Sequence, residues 1–279
     1  MKKIGFIDYY LDEWHANTYP EWIRQATSGD MQVCYAYGKA DAPHGIDNAS
    51  WSRQQGVELL DSIADVVAAS DYLVVLSPDH PEHHMELAMP ALQSGKPTYV
   101  DKTFAPDRRT AQLLFETAER HGTPLFSSSA LRFAKEYASV NRQGLKRICS
   151  FGPGAYSNYA VHQIEPIVAL MGVEAEKVMY IGSENGAELL IGYTGGRQAE
   201  IHHYRNSPFA MTLSYEAEDC VSLQAESDFF SELIKNMVQF FQTGKPPFDY
   251  RETIAIMSII ECGLQAARTP YQWVELPRG

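Results

Sequence analysis

Acidic and imidazole side chains gather at three points of this chain. Asp8, Asp12, Glu13 and His15 fall within "DYYLDEWH", Asp79, His80, His83 and His84 within "DHPEHH", and Asp101 and Lys102 follow. Carboxylates beside imidazoles suit a divalent cation, a polyhydroxy compound or a cationic ligand better than a pyrophosphate. As a metal motif His80-x-x-His83-His84 matches no zinc spacing and Pro81 suggests a turn, so no metal ligands are assigned. A further histidine, His162, lies in "SNYAVHQIEPIVALMG", where helical spacing lets Ile164, Ile167, Val168 and Leu170 face a core.

The elements that must position these groups are legible as a pattern. "KIGFI", "MQVCYAYG", "DYLVVLSP", "PTYVDK" and "TPLFSSS" read as strands. Between them, Leu11 to Ala26 has helical spacing interrupted by Pro20, "VELLDSIADVVAAS" and "EHHMELAMPALQSG" read as helices, and "DRRTAQLLFETAERHG" is a helix with Asp107 as N-cap and Gly122 past its end. Strands alternating with helices predict a doubly wound parallel sheet over residues 1–129, with ligands beyond the carboxyl ends of its strands.

The texture changes after that. In 130–279 one helix, Ala155 to Met171, precedes short alternating runs, "KVMYIG", "AELLIGY", "RQAEIHHY", "MTLSYEA" and "VSLQAE". Gly195-Gly196 between two of them marks a hairpin. An α+β domain with an open antiparallel sheet is predicted, closed by helices at Phe229 to Gln242 and Thr253 to Ala267. His202, His203 and Arg205 are expected on the surface of that sheet.

The stretch "DYLVVLSPDHPEHHMELAMPALQSGKPTYVDKTFAPD" resembles the Gfo/Idh/MocA oxidoreductases, the glucose-fructose oxidoreductase and inositol dehydrogenase type. That family shows a strand ending in Thr-Pro, a helix with His-x-Glu, a Gly-Lys pair and then Glu-Lys-Pro, here Asp101-Lys102-Thr103. "SNYAVHQIEPIVALMG" is similar to the family's Asp-x-Gly-x-His-x-x-Asp helix, with Asn158, Ala160, His162 and Glu165 in the four positions. The resemblance implies a Rossmann domain, a C-terminal open-sheet domain that this chain carries in reduced form, and NAD- or NADP-dependent hydride transfer on a sugar, cyclitol or related polyol. It implies Lys102 and His162 as the catalytic pair. A neutral imidazole or a lysine of lowered pKa accepts a hydroxyl proton near neutral pH. Asn158, Glu165, Arg132 and Tyr156 are then the substrate-binding candidates, and a homodimer or homotetramer formed through the C-terminal sheet is expected.

The first turn departs from that family. Asp8, Tyr10 and Glu13 occupy the places of the three small residues of Gly-x-Gly-x-x-Gly, so a bulky ring and carboxylates stand where backbone should approach two phosphates. A dinucleotide held there would be lined by Ile7, Asp8, Tyr10, Leu11, Lys39, Ser77, Pro78, His80, His83 and Asp101. Lys39 would suit a 2′-phosphate. The alternative is a pseudo-oxidoreductase that keeps the fold and binds a small polar ligand or metal. A lyase or isomerase run from the His80 cluster is a third reading.

The bulk properties narrow the classes. A net charge of -12 without a basic run argues against a nucleic-acid partner. The four cysteines form no Cys-x-x-Cys pair, and no apolar window approaches a membrane span, so a cytoplasmic protein acting on a small molecule is expected.

Overall fold

The computed structural model describes residues 1–182, 186–216 and 220–277. These form two compact units. The first comprises Met1–Ser128 with Leu233–Asp249, the second Ser129–Glu232 with Tyr250 onward. The pattern had assigned all of 130–279 to one domain. Segment 233–249 instead packs on the first unit, because its aromatic residues find partners there: Phe240 meets Phe126 edge to face and Phe241 stacks on Tyr72 with ring centroids 4.9 Å apart.

In the first unit, strands and helices alternate as β1 (Lys2–Asp8), α1 (Trp14–Ala26), β2 (Met31–Gly38), α2 (Asn48–Gln55), β3 (Glu58–Leu59), α3 (Ile63–Ala69), β4 (Tyr72–Val75), α4 (His84–Leu92), β5 (Thr98–Val100), α5 (Arg108–Arg120) and β6 (Leu125–Phe126). The six strands are parallel, in the order β3-β2-β1-β4-β5-β6. That order reverses between β1 and β4, and the crevice beyond their carboxyl ends is where such sheets take ligands. Ile4, Phe6, Ile7, Leu73, Val74 and Val75 are fully buried, as continuous apolar runs covered on both faces require.

Three local features differ from the pattern. Residues 57–70 are not one helix: Glu58 and Leu59 add an edge strand to β2, and α3 starts after Ser62, whose hydroxyl accepts the Asp65 N–H. Helix α1 runs through Pro20 without a break. α2, unforeseen, begins at the N-cap Asp47, whose carboxylate accepts the Ser50 N–H.

The second unit holds α6 (Lys135–Ala138), β7 (Leu145–Gly152), α7 (Tyr156–Met171), β8 (Ala175–Tyr180), β9 (Glu188–Tyr193), β10 (Gln198–His203), β11 (Ala210–Tyr215), β12 (Cys220–Gln224), α9 (Tyr250–Ala266) and β13 (Trp273–Glu275). Helix α8 (Phe229–Thr243) carries the chain from this unit to the first. The sheet order is β12-β11-β7-β10-β9-β8-β13. It is mixed rather than wholly antiparallel, because β7, which the pattern missed, lies parallel to β10. The expected hairpin joins β9 to β10, with Gly195 and Gly196 both at positive φ. Ala217, counted in the fourth alternating run, lies outside the described residues.

Candidate functional site

Asp8 ends β1 and begins a turn in which three backbone donors are engaged from within the chain. The N–H of Tyr9 goes to Asp8 Oδ1 at 2.7 Å, that of Leu11 to Asn48 Oδ1 at 3.0 Å, and that of Glu13 to Leu11 O at 2.9 Å. Glu13 caps α1, its carboxylate accepting the N–H groups of His15 and Ala16. A helix N-terminus and its preceding turn form an anion seat only while those N–H groups are available. Here a carboxylate of the chain already sits on the pole.

Beneath the turn lies a dry acid–imidazole group. Asp8 and Asp101 are each 1% exposed, and the Oδ2 atom of each is buried without a hydrogen-bond partner. Burial and the neighbouring Glu13 carboxylate push the Asp8 pKa well up, against the pull of the Tyr9 N–H. His15 Nδ1 is 2.8 Å from Glu13 Oε2, and its Nε2 is 3.7 Å from Asp101 Oδ2. Burial disfavours the charged ring, but Asp101 and Glu13 outweigh it and hold His15 above its ordinary value. The Tyr99 hydroxyl lies 2.9 Å from Asp101 Oδ1 and 2.8 Å from Ser128 O. Lys102, half-buried, donates to Pro78 O at 3.4 Å, and the peptide after it is cis. His84 anchors this loop: its ring nitrogens face Leu76 O at 2.6 Å and Phe104 O at 3.0 Å, and burial holds its pKa down.

The remaining candidates of this unit divide into core and rim. Ile7 and Leu11 are fully buried apolar side chains, and Ser77 spends its hydroxyl on His80 O at 3.1 Å. Tyr9 stacks on His83 with centroids 4.1 Å apart, and Tyr10 and His80 meet edge to face beside them. Lys39, the 2′-phosphate candidate, pairs instead with Glu86, which also takes His83 Nδ1 at 2.7 Å. The segment after β2 is latched across the turn. Asn48 Nδ2 donates to Ala40 O at 2.8 Å, the Ile46 N–H goes to Asp12 Oδ2 at 2.9 Å, and Lys39 and Ala40 donate to the carbonyls of Asp8 and Tyr9. Gly38 permits this: a Cβ there would stand 2.5 Å from the Asn48 amide.

In the second unit, α7 presents His162 at intermediate exposure, with Nδ1 2.7 Å from Ser129 Oγ. Ser129 Oγ also accepts the Leu131 N–H at 3.3 Å, which holds the hydroxyl against the ring. Tyr159 and Phe209 pack edge-on against the imidazole. Asn158 is exposed one helical turn earlier. Two substrate-binding candidates are supports: Glu165, 2% exposed, takes the Ser129 N–H at 2.7 Å and faces Arg132, and Tyr156 is buried with its hydroxyl towards Ile260 O. Arg132 pairs with Glu252 as well. On β10, His203 points into the unit, Nδ1 3.3 Å from Pro153 O, whereas His202 faces the other side.

Sequence reasoning missed Tyr99, Ser129 and Asn48. Tyr99 was within reach, since it shares a strand face with Asp101 two residues on. Asn48 carried no local signal, because its partners lie at Leu11, Gly38 and Ala40.

A family model described as an oxidoreductase family with an NAD-binding Rossmann fold matches residues 41–129, beginning beyond the β1–α1 turn. No curated protein matches the chain in sequence. Among solved structures, GenD2 from gentamicin A biosynthesis in complex with NAD is 13% identical, with 100% of this chain and 97% of that one covered and a TM-score of 0.81. The scyllo-inositol dehydrogenase of Lactobacillus casei, with NAD(H) and scyllo-inositol, is 14% identical, with 99% of each chain covered and a TM-score of 0.80. The WlbA dehydrogenase of Bordetella pertussis, with NADH and UDP-GlcNAcA, is 15% identical, with 100% of this chain and 99% of that one covered and a TM-score of 0.77. At these identities the likeness is one of fold. Against it stands the turn itself: with the N–H groups of Tyr9, Leu11 and Glu13 engaged, Glu13 on the helix pole and Asp8 beneath, the residues present do not fit a dinucleotide diphosphate.

Proposed function

With residues 41–129 belonging to the Gfo/Idh/MocA oxidoreductase family, we propose that this chain keeps the family fold with a rebuilt first turn. Its carboxyl-end site takes a small polyhydroxy or amine-bearing ligand of the sugar or cyclitol class in place of a diphosphate. The protein is then a binding or regulatory member of an oxidoreductase family. The observation that carries this reading is the pair of buried Oδ2 atoms of Asp8 and Asp101, neither of which has a hydrogen-bond partner among the described residues. A dry acceptor is costly until a hydrogen reaches it, and hydroxyl and ammonium groups bring hydrogens where a phosphate brings charge. The rim of Tyr9, Tyr10, His80 and His83 offers apolar bodies with polar tips, suited to the mixed C–H and O–H surface of a polyol.

The test is a thermal-shift panel of inositols, neutral sugars and amino sugars. A rise in melting temperature is expected for at least one of them, as for any ligand binding only the folded state, and the rise is lost in Asp101→Asn. Silence across the panel contradicts the reading.

A second reading, NAD(P)-dependent oxidation of a polyol, is favoured by the family match and by His162, whose ring Ser129 holds through Nδ1. Under it Lys102 and His162 handle the hydroxyl proton and Asn158 and Arg132 orient the substrate. Lys102→Ala or His162→Ala would then lower turnover by about 10² or more. Under either reading we place the protein in the cytoplasm. Its four cysteines are free, and among the described residues no helix is long and apolar enough to cross a membrane. Association of copies through the second unit's sheet remains part of the proposal, checked by mass under native conditions.

A further inference from the structure

On the face of the second sheet turned away from α7, three ligand types converge. Cys149 on β7 lies in register with Glu200 on the parallel strand β10, and His202 follows Glu200 on the same face, two residues along. One ligand atom from each, the Cys149 sulfur, a Glu200 oxygen and a His202 ring nitrogen, all lie within 4.8 Å of one another. Across the antiparallel pairing, His202 stands opposite Glu188 on β9. Its ring is held between two carboxylates, Nε2 3.5 Å from Glu200 Oε2 and Nδ1 3.5 Å from Glu188 Oε1. Nδ1 is buried and makes no hydrogen bond.

We propose that Cys149, Glu200 and His202 form a binding site for a divalent transition-metal ion of the zinc class, with Glu188 orienting the imidazole. A thiolate, an imidazole and a carboxylate are the donors such an ion selects, whereas calcium and magnesium call for oxygens alone. Bond lengths to zinc of about 2.0 to 2.3 Å place ligand atoms roughly 3.5 Å apart. The side chains reach that spacing by turning about their own bonds while β7 and β10 stay in place. Three protein ligands leave a fourth position for water. With the ion on Nε2, the Nδ1 hydrogen points at Glu188, the carboxylate–histidine–metal arrangement that fixes the tautomer of a ligating ring. The site belongs to the second unit alone and is independent of the ligand reading made for the first.

The test uses the full chain after treatment with a chelator. Titration with zinc chloride against a chromophoric competitor should show one equivalent bound per chain with a micromolar or tighter dissociation constant. Cobalt(II) should produce a near-ultraviolet sulfur-to-metal charge-transfer band. Cys149→Ser should abolish that band, Glu200→Gln should weaken zinc binding at least tenfold, and Glu188→Gln should weaken it about 10- to 100-fold. Cys220→Ser, which alters an exposed cysteine outside the cluster, should change nothing. Thermal unfolding of each variant without metal separates lost ligation from lost fold. Zinc binding that is absent in the wild type, or that persists unchanged in both Cys149→Ser and Glu200→Gln, overturns the proposal.

Discussion

At Asp8 a carboxyl group occupies a strand end where a nucleotide-binding turn needs no side chain at all, and its surroundings make it a poor anion. Buried and beside Glu13, it holds its proton more tightly in the folded state than in the unfolded one. His15 likewise gains proton affinity on folding. Groups whose pKa rises on folding contribute stability below their unfolded values and lose it as pH climbs through the folded ones. These two groups should therefore add stability as pH is lowered from about 8 towards 6, against the buried His84, whose lowered pKa acts the other way, and Asp8→Asn should raise the thermal midpoint by a few degrees near neutrality and remove the Asp8 share of that slope. An Asp8→Asn protein less stable than the wild type at neutral pH would contradict this charge assignment. Glu165 is the opposite case, a buried carboxylate fully employed by Ser129 and Arg132. Breaking a buried ion pair costs about 3–5 kcal/mol, and since Arg132 keeps Glu252, Glu165→Ala should lie near the low end, about 3 kcal/mol by denaturant unfolding.

The β1–α1 turn and the latch beyond β2 make one interlocked element. Asn48 accepts from Leu11 and donates to the carbonyls of Gly38 and Ala40, so a single side chain ties α2 to two strand ends. Asn48→Ala should cost about 1–3 kcal/mol, the penalty for orphaning buried polar groups, and should speed hydrogen exchange at the Leu11 amide. Unchanged exchange there would mean the latch does not hold the turn. This element also marks the limit of what the sequence discloses. Most of the first unit's strand–helix alternation, the N-cap Asp107 and the Gly195-Gly196 hairpin were legible because each is written in adjacent residues. β7 and the Asn48 latch were not, because their partners lie far along the chain. Placement was legible for Asp8, Asp101 and Lys102 near strand ends of the first unit and for His162 on α7 of the second. The roles of Glu165 and Tyr156 were not, since helical spacing does not say which polar face turns inward.

For the whole molecule the fold and the site point different ways. Residues 41–129 match an oxidoreductase family described by its NAD-binding Rossmann fold, and the first unit has a parallel doubly wound sheet of that kind. The match begins after the turn whose chemistry has changed, so the scaffold argues for a nicotinamide dinucleotide and the first forty residues against it. The most direct arbiter is a calorimetric titration of NADH, and separately NADPH, into the chelator-treated protein at low ionic strength. The rebuilt turn predicts no saturable heat up to millimolar cofactor. A one-site isotherm with a micromolar dissociation constant would show that a diphosphate displaces Glu13 from the helix pole, and would contradict the account.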